Sequence, residues 1–258
     1  MPTQHDQAIC IRHWDWSETS QTVGLFGRAL GCFRGLAKGA RRERGRFSGG
    51  IDLLTRGEVG VILKRDGDLS TLTEWDTQEI FPRLRENLAA NRAGWYAADV
   101  LGRMLPMLDP HPDLFDRTMV LLRSLGSGEG VESSMLRFQW CLLQETGWQP
   151  DLSPPDGPSD EVAFDPTEGR LVTDGEREGP WRIRNTTLAT LRSAAAGEAT
   201  MGEMDAVQRA NRLLAAHLRH VLGDEPATMS WLFGKLPVAH GRPATRHGAR
   251  TPRSDWAV

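Results

Sequence analysis

Cysteine is scarce in this sequence, since its 258 residues include only Cys10, Cys32 and Cys141. Three widely spaced thiols cannot form the disulfide framework on which small secreted proteins depend. Free cysteine usually behaves as a small hydrophobic residue, so we expect three ordinary buried thiols. The shortage of cysteine therefore favours a cytoplasmic protein.

Long apolar segments are also missing. No apolar run approaches the roughly 20 residues that a transmembrane helix needs. The first ten residues, MPTQHDQAIC, contain neither the cationic region nor the apolar stretch of a secretory signal. A hydrophobic content of 39% and a charged content of 25% are typical of a globular protein. We therefore expect no contact with a membrane.

The sequence lacks a recognisable catalytic or cofactor site. GSGEG at residues 126–130 has neither the preceding strand nor the Lys-Ser/Thr pair of a phosphate-binding loop. His217 and His220 lie three residues apart without a third metal ligand, which favours surface or interhelix histidines. No nucleophile with a matching base stands out. We predict a protein without catalytic residues, metal or cofactor.

Positive charge, by contrast, is concentrated in one place. The formal net charge is -3, yet residues 34–46 contain six basic side chains and a single acid, Glu43. The six are Arg34, Lys38, Arg41, Arg42, Arg44 and Arg46. Such a cluster is typical of a surface that binds a polyanion. The plain alternative is a solvated loop.

The hydrophobic pattern changes along the chain. In residues 1–81, short alternating segments cut by glycines predict about five strands and a small closed barrel. Residues 82–236 have helical periodicity, and their first helix places Leu84, Leu88, Trp95 and Leu101 near one face. An acidic, proline-containing insert at 148–184 includes a predicted hairpin, AFDPTEGRLV. We expect residues 237–258 to form a disordered basic tail.

Several segments, in this order, resemble a known family. They are RHWDWSETSQTVGLF, CFRGLAKGARRERGRFSGGIDLL, LTEWDTQEIFPRLRENLAANRAGWYAADVL and MLRFQWCLLQETGWQPDL. Together they resemble the bacterial recombination mediator RecO. The resemblance implies an α+β protein with an N-terminal oligonucleotide-binding (OB) barrel, residues 1–81, and a C-terminal helical bundle, residues 82–236.

The resemblance also implies a function in DNA repair. Family members bind single- and double-stranded DNA and anneal complementary strands. They act with RecR and with single-stranded-DNA-binding protein to place RecA on DNA in RecF-pathway recombination. A member of this family would be cytoplasmic and associated with the nucleoid.

On this interpretation the basic cluster contacts DNA phosphates. Lys38 and the four arginines from Arg41 to Arg46 would supply the charge, with Arg34 on the preceding strand. Phe47 would either stack on a base or close the barrel core. Two other functions remain open: an OB-fold RNA-binding protein, and an adaptor whose barrel binds only proteins.

The insert departs from the family pattern. Many members hold zinc there through two Cys-x-x-Cys pairs, and the corresponding residues here are Ser153, Asp156, Thr173 and Glu176. Two hydroxyls and two carboxylates do not form a structural zinc site. We predict a degenerate insert without zinc, held by apolar packing of Phe164, Leu171, Val172 and Trp181.

The resemblance further implies that the helical region binds the acidic C-terminal tail of single-stranded-DNA-binding protein. Such a peptide needs an apolar slot for a ring and arginines for its carboxylates. The candidates are Arg117, Arg123 and Arg137 beside Phe115 and Phe138. Alternatively, these arginines are solvated or pair with Asp116 and Glu145.

Overall fold

The computed structural model describes residues 2–41, 46–47, 49–64, 69–155, 162–173, 181–198 and 202–236. The chain forms two compact units, of which the first runs from the N-terminus to Ser127 and the second begins at Gly128. The first unit comprises β1 (Gln4–Asp15), β2 (Gln21–Gly27), β3 (Gly31–Ala37), β4 (Arg56–Ile62), β5 (Ser70–Glu79), α1 (Arg83–Glu86), α2 (Leu88–Met104) and α3 (Pro112–Ser127). The second comprises α4 (Val131–Glu145), β6 (Val162–Asp165), β7 (Arg170–Thr173), β8 (Trp181–Arg182), α5 (Asn185–Ala195), α6 (Met204–Leu222) and α7 (Ala227–Phe233).

Strands β1 to β5 close into a barrel in the order β1-β2-β3-β5-β4. Neighbouring strands are antiparallel except β3 and β5, which pair in parallel through Gly35–Ser70 and Leu36–Thr71. The predicted OB-like barrel followed by helices is confirmed. A five-stranded closed barrel of this kind leaves no long free sheet edge and presents one outer face and its loops for binding.

The barrel encloses a core of 13 buried residues. They are Ala8, Cys10, Val23, Leu25, Phe33, Ala37, Ala40, Phe47, Ile51, Val59, Val61, Leu72 and Trp75. Strand β4 changes register against β5 at Gly57 and again at Gly60, as expected where glycines permit bulges. Gly57 is required for a further reason, because a Cβ there would lie 2.6 Å from two ring atoms of Trp75.

Helices α1 to α3 belong to the same compact unit as the barrel. The α2 helix starts at Asn87, whose side chain accepts a hydrogen bond from the Ala90 amide at 2.9 Å. On α3, Phe115 packs its ring against Phe26 with the centroids 5.6 Å apart. Two bidentate ion pairs, Arg28–Asp116 and Arg123–Glu79, fix α3 against the barrel. Strands give way to helices between Glu79 and Arg83, whereas the compact units divide after Ser127, and the predicted domain boundary at residues 81/82 stays a prediction.

The first predicted helical stripe is only partly buried. Leu84 and Leu101 are buried, but Leu88 and Trp95 are exposed. The chain is extended at Asn87, with φ -122° and ψ 116°, so Leu84 and Leu88 lie on different helices. This break interrupts the periodicity and explains why the four residues do not share a buried face.

The second unit is a group of helices with a small sheet. Gln139 of α4 donates a buried hydrogen bond from Nε2 to Oδ1 of Asn211 on α6, at 2.7 Å. Helix α6 ends at Gly223, which has φ 77° and donates its amide to the Arg219 carbonyl. The sheet, in the order β7-β6-β8, confirms the predicted hairpin. The predicted tail at 237–258 lies outside the described residues.

Candidate nucleic-acid interface

The outer face of β2 and β3 carries the first predicted site residue. Val23 and Leu25 of β2 face the core, so the alternation of side chains places Thr22 and Gly24 outside. Arg34 is the cross-strand partner of Gly24 and therefore lies on the same outer face. Its side chain is half-buried.

The segment after β3 carries the next basic residues. Lys38, Arg41 and Arg46 are all exposed. The chain turns at Gly39, whose φ of 68° is costly for other residues. The predicted cations Arg42 and Arg44 lie outside the described residues. The described members of the cluster therefore flank one end of the barrel, at the end of β3 and in the segment that follows it.

Phe47 belongs to the barrel core. Its side chain is buried among the core residues, and the carbonyl of the preceding Arg46 accepts a hydrogen bond from the Trp75 amide at 2.8 Å. Of the two roles considered for this ring, the structure supports closure of the barrel. A buried ring cannot stack on a bound base.

An exposed aromatic ring that the sequence interpretation missed lies beside the cluster. Trp16 follows β1 and its side chain is 64% exposed. Its loop contacts the basic segment, because the Arg41 amide donates to the Thr19 carbonyl and the Gly39 amide to Ser20 Oγ, each at 3.2 Å. The sequence feature that could have indicated this ring is HWDW at residues 13–16, where two tryptophans alternate at the end of a predicted strand.

The residues predicted for peptide binding do not form an apolar slot. Phe115 is 1% exposed and Phe138 is 0% exposed. Both rings are core residues, and this corrects the expectation that they line a surface. Phe115 lies in the first compact unit and Phe138 in the second.

The three arginines of the same prediction have different surroundings. Arg123 donates two hydrogen bonds to Glu79, at 2.8 and 2.9 Å. Arg137 donates to the Glu198 carbonyl at 2.6 Å. Arg117 is exposed. Their role in peptide binding stays a prediction, and Arg123 already stabilises the docking of α3.

Ion pairing and burial explain three shifted pKa values around α3 and the β2–β3 turn. The hydrogen bond from Arg123 holds the pKa of Glu79 below its ordinary value, and a hydrogen bond from Arg28 does the same for Asp116. Burial raises the pKa of Asp6, although its carboxylate accepts hydrogen bonds from the amides of Ala29 and Leu30. These groups organise the β2–β3 turn and α3.

The described part of the insert is held by packing and by strand pairing. Phe164 and Leu171 are buried, whereas Val172 and Trp181 are half-buried. Of the four residues predicted to correspond to the family's zinc ligands, Ser153 and Thr173 offer only hydroxyls, and Asp156 and Glu176 lie outside the described residues. Among the described residues, no group of three or more His, Cys, Asp or Glu could hold a metal ion. These side chains do not fit zinc.

A histidine connects the insert to α6. His217 is buried, with Nδ1 2.7 Å from the Pro166 carbonyl oxygen and Nε2 2.9 Å from the Trp148 carbonyl oxygen. The ring of Phe164 meets the imidazole edge-on at 6.2 Å. His217 is thus a buried residue rather than a surface histidine, and it joins α6 to the β6–β7 turn and to the segment after α4.

The expectation of three buried thiols holds for two of them. Cys10 and Cys32 are buried, and burial raises the pKa of both thiols, while Cys141 is half-buried. Within the part of the chain that the structure describes, no helix is long and apolar enough to cross a membrane.

Comparisons with known proteins identify two family matches. Residues 1–81 match the family described as "Recombination protein O N terminal", and residues 85–154 match "Recombination protein O C terminal". The two matched ranges follow one another along the chain and cover the barrel, the end of α1, α2 to α4 and the start of the insert.

Individual relatives are proteins named "DNA repair protein RecO". That of Rhodopirellula baltica is 38% identical over 144 residues, which is 55% of this chain and 53% of that protein. That of Geobacter sulfurreducens is 34% identical over 57% of this chain and 59% of its own length. That of Azoarcus sp. is 29% identical over 82% of this chain and 87% of its length. The chain thus spans little more than half the length of the first two.

Proposed function

This chain belongs to the recombination protein O (RecO) family of DNA repair proteins, and on that premise we propose that it is a nonenzymatic recombination mediator. It binds single- and double-stranded DNA through the basic end of its barrel. It anneals complementary strands and, with RecR, assists the loading of RecA. Single-stranded-DNA-binding protein is its second protein partner, and the cytoplasm with its nucleoid is where it acts.

The observation that carries the proposal is the position of the basic cluster on the barrel. Arg34 lies on the outer face of β3, and Lys38, Arg41 and Arg46 are exposed in the segment that follows. Strands β2 and β3, with the adjoining loops, are the face through which OB barrels bind nucleic acid. Cations at this place can neutralise a phosphate backbone without selecting a base sequence.

Annealing follows from the same electrostatics. Two complementary strands repel each other through their phosphates, and bound cations reduce that repulsion as counterions are released. A protein that holds a strand through charge alone leaves the base edges free to pair. The proposed activity therefore needs no catalytic group.

The test is the double variant Lys38→Ala/Arg41→Ala. We expect it to bind DNA about 5- to 30-fold more weakly whatever the sequence, if each exposed cation contributes about 0.5 to 1 kcal/mol. The slope of log affinity against log salt for single strands should become flatter by about 1.4, since each phosphate contact contributes roughly 0.7. Fluorescence anisotropy with labelled oligonucleotides over a range of salt measures both quantities.

The matched control is Arg184→Ala/Lys235→Ala, which removes two exposed cations from the second unit. It should leave the affinity and the slope unchanged. Wild-type affinity and slope in the Lys38→Ala/Arg41→Ala protein would refute the proposed site. The same oligonucleotides made as RNA complete the test, and a tenfold preference for RNA would favour the RNA-binding alternative.

A further inference from the structure

We propose that Trp16 is a stacking platform for an unpaired nucleobase, and that it makes the basic end of the barrel prefer single strands over duplex. This inference rests on the proposed function, because it assigns a base-binding residue to the same DNA site. It adds a property that the cations alone cannot supply, since both strand forms present phosphates.

The first observation is the exposure of the ring. The Trp16 side chain is 64% exposed, whereas Trp75 and Trp140 are 1% and 5% exposed. Tryptophan has the largest apolar surface of any side chain and is highly buried on average. An indole that is left in water at a nucleic-acid face is available to stack on a base.

The second observation is that the loop holding Trp16 is hydrogen-bonded within itself. The amides of Trp16 and Ser17 both donate to the Ser20 carbonyl, at 3.1 and 3.3 Å. The Ser20 amide donates to Ser17 Oγ at 3.2 Å. A loop that is already ordered loses little conformational entropy when a ligand binds, so more of the stacking energy appears as affinity.

The third observation is that this loop is joined to the cations. The hydrogen bonds Arg41–Thr19 and Gly39–Ser20 connect residues 19–20 to the basic segment. Lys38, immediately before Gly39, is exposed. An aromatic ring beside cations that follow the backbone is the arrangement by which proteins bind single-stranded nucleic acid.

The neighbouring strand positions continue the platform. Trp14 is the cross-strand partner of Thr22, and Thr22 is the partner of Leu36. All three are half-buried and lie in a row across β1, β2 and β3 on the outer face. This row offers a partly apolar surface between Trp16 and Arg34, along which a strand can extend its bases.

Stacking on a protein ring requires a base that is not already stacked in a duplex. Bases within a duplex are paired and stacked on their neighbours, and reaching the ring would cost unpairing energy. Trp16 therefore adds affinity for single strands and none for a blunt duplex. The cations contribute to both.

The experiment compares Trp16→Ala with wild type on an oligo-dT strand and on a blunt duplex of equal length, at one salt concentration. Loss of one stacked base should weaken binding of the single strand roughly 5- to 150-fold and leave duplex affinity within twofold. Trp16→Phe keeps a ring and should retain part of the single-strand affinity. Trp231→Ala, which removes a ring that is 52% exposed in the second unit, is the matched control.

Intrinsic fluorescence gives a second measurement. Oligo-dT should quench the tryptophan emission of the wild type, and the quenching should decrease in Trp16→Phe but not in a Trp231→Phe control. Thermal unfolding checks that each variant is folded.

The outcomes separate this inference from the proposed function. If Trp16→Ala binds the single strand and the duplex with wild-type affinity, while Lys38→Ala/Arg41→Ala binds both more weakly, only the stacking inference is overturned. If Trp16→Ala loses single strand and duplex equally, the ring supports the loop and is not a platform, which also overturns it. If the charge variant binds as wild type, the proposed site itself is refuted.

Discussion

The imidazole of His217 has two main-chain carbonyl oxygens within hydrogen-bond distance, those of Pro166 and Trp148. A neutral imidazole has one N–H, so both contacts are hydrogen bonds only when both ring nitrogens carry hydrogen. The ring also requires glycine at position 169, because a Cβ there would lie 2.5 Å from Cε1 of His217. One side chain thus connects α6, the end of α4 and the β6–β7 turn.

Removing this side chain should destabilise the protein. We expect His217→Ala to lower the free energy of unfolding by about 2 to 4 kcal/mol, because it leaves a cavity and two carbonyls without their contact. Urea unfolding followed by circular dichroism measures the change. The control is His220→Ala, at a half-buried position one turn further along α6. It should lower the free energy of unfolding by less than His217→Ala does. Equal stability of His217→Ala and wild type would contradict this role.

At the scale of elements, α3 shows how two ion pairs position a helix. Asp116 and Arg123 are separated by about two turns and pair with Arg28 and Glu79 of the barrel. Between them lie the buried residues Met119, Leu121 and Leu122. The apolar side chains supply most of the stabilisation, and the ion pairs set the orientation of the helix on the barrel.

The pair Glu79–Arg123 makes the stability of this contact depend on pH. The pKa of Glu79 is lowered in the folded protein, chiefly by the hydrogen bond from Arg123. Its stabilisation is therefore complete above the ordinary carboxyl pKa of 4.5 and is lost as the pH falls through the lowered value. We expect Arg123→Ala to cost about 0.5 to 1 kcal/mol at pH 7, since the arginine is more than half exposed.

The measurement is urea unfolding of wild type and Arg123→Ala at pH 7 and at about pH 3. The difference between the two proteins should shrink at the lower pH. The control is Arg117→Ala, because Arg117 is exposed on the same helix. Its free energy of unfolding should equal that of wild type at both pH values. A difference that stays constant with pH would show that the ion pair contributes nothing.

At the scale of the whole molecule, the insert contains no cysteine to bind zinc. The thermal stability of the protein should therefore not depend on a metal ion. A structural zinc ion contributes directly to folding, so chelators destabilise proteins that depend on one. Here, the described part of the insert has a packed hairpin and the contacts of His217. The chain is therefore predicted to fold with no metal.

We expect the purified protein to contain no stoichiometric zinc, and its melting temperature to be the same with and without a chelator. Elemental analysis and thermal unfolding in EDTA test both statements. One tightly held zinc per chain, or a chelator-dependent decrease in melting temperature, would show that the assignment of Ser153, Asp156, Thr173 and Glu176 to the zinc positions is wrong.

The family, the order of strands and helices, the hairpin of the insert and the position of the basic cluster along the chain could be predicted from the sequence. These follow from local patterns, because alternation, helical periodicity and runs of charge are properties of short segments. The end of a helix at a glycine is also a local feature, as at Gly223, which adopts the left-handed conformation at the end of α6. Such features need no knowledge of distant neighbours.

Which of these side chains reach the surface could not be predicted from local patterns and became clear from the fold. Arg123, whose role in peptide binding stays a prediction, pairs with Glu79, which is 44 residues away in the sequence. Phe138 and Phe47 are buried, while Trp16 and Trp95 are exposed. The physical reason is that burial and ion pairing depend on contacts between segments that are far apart in the chain. The periodicity of one segment shows which residues share a face, but not what covers that face.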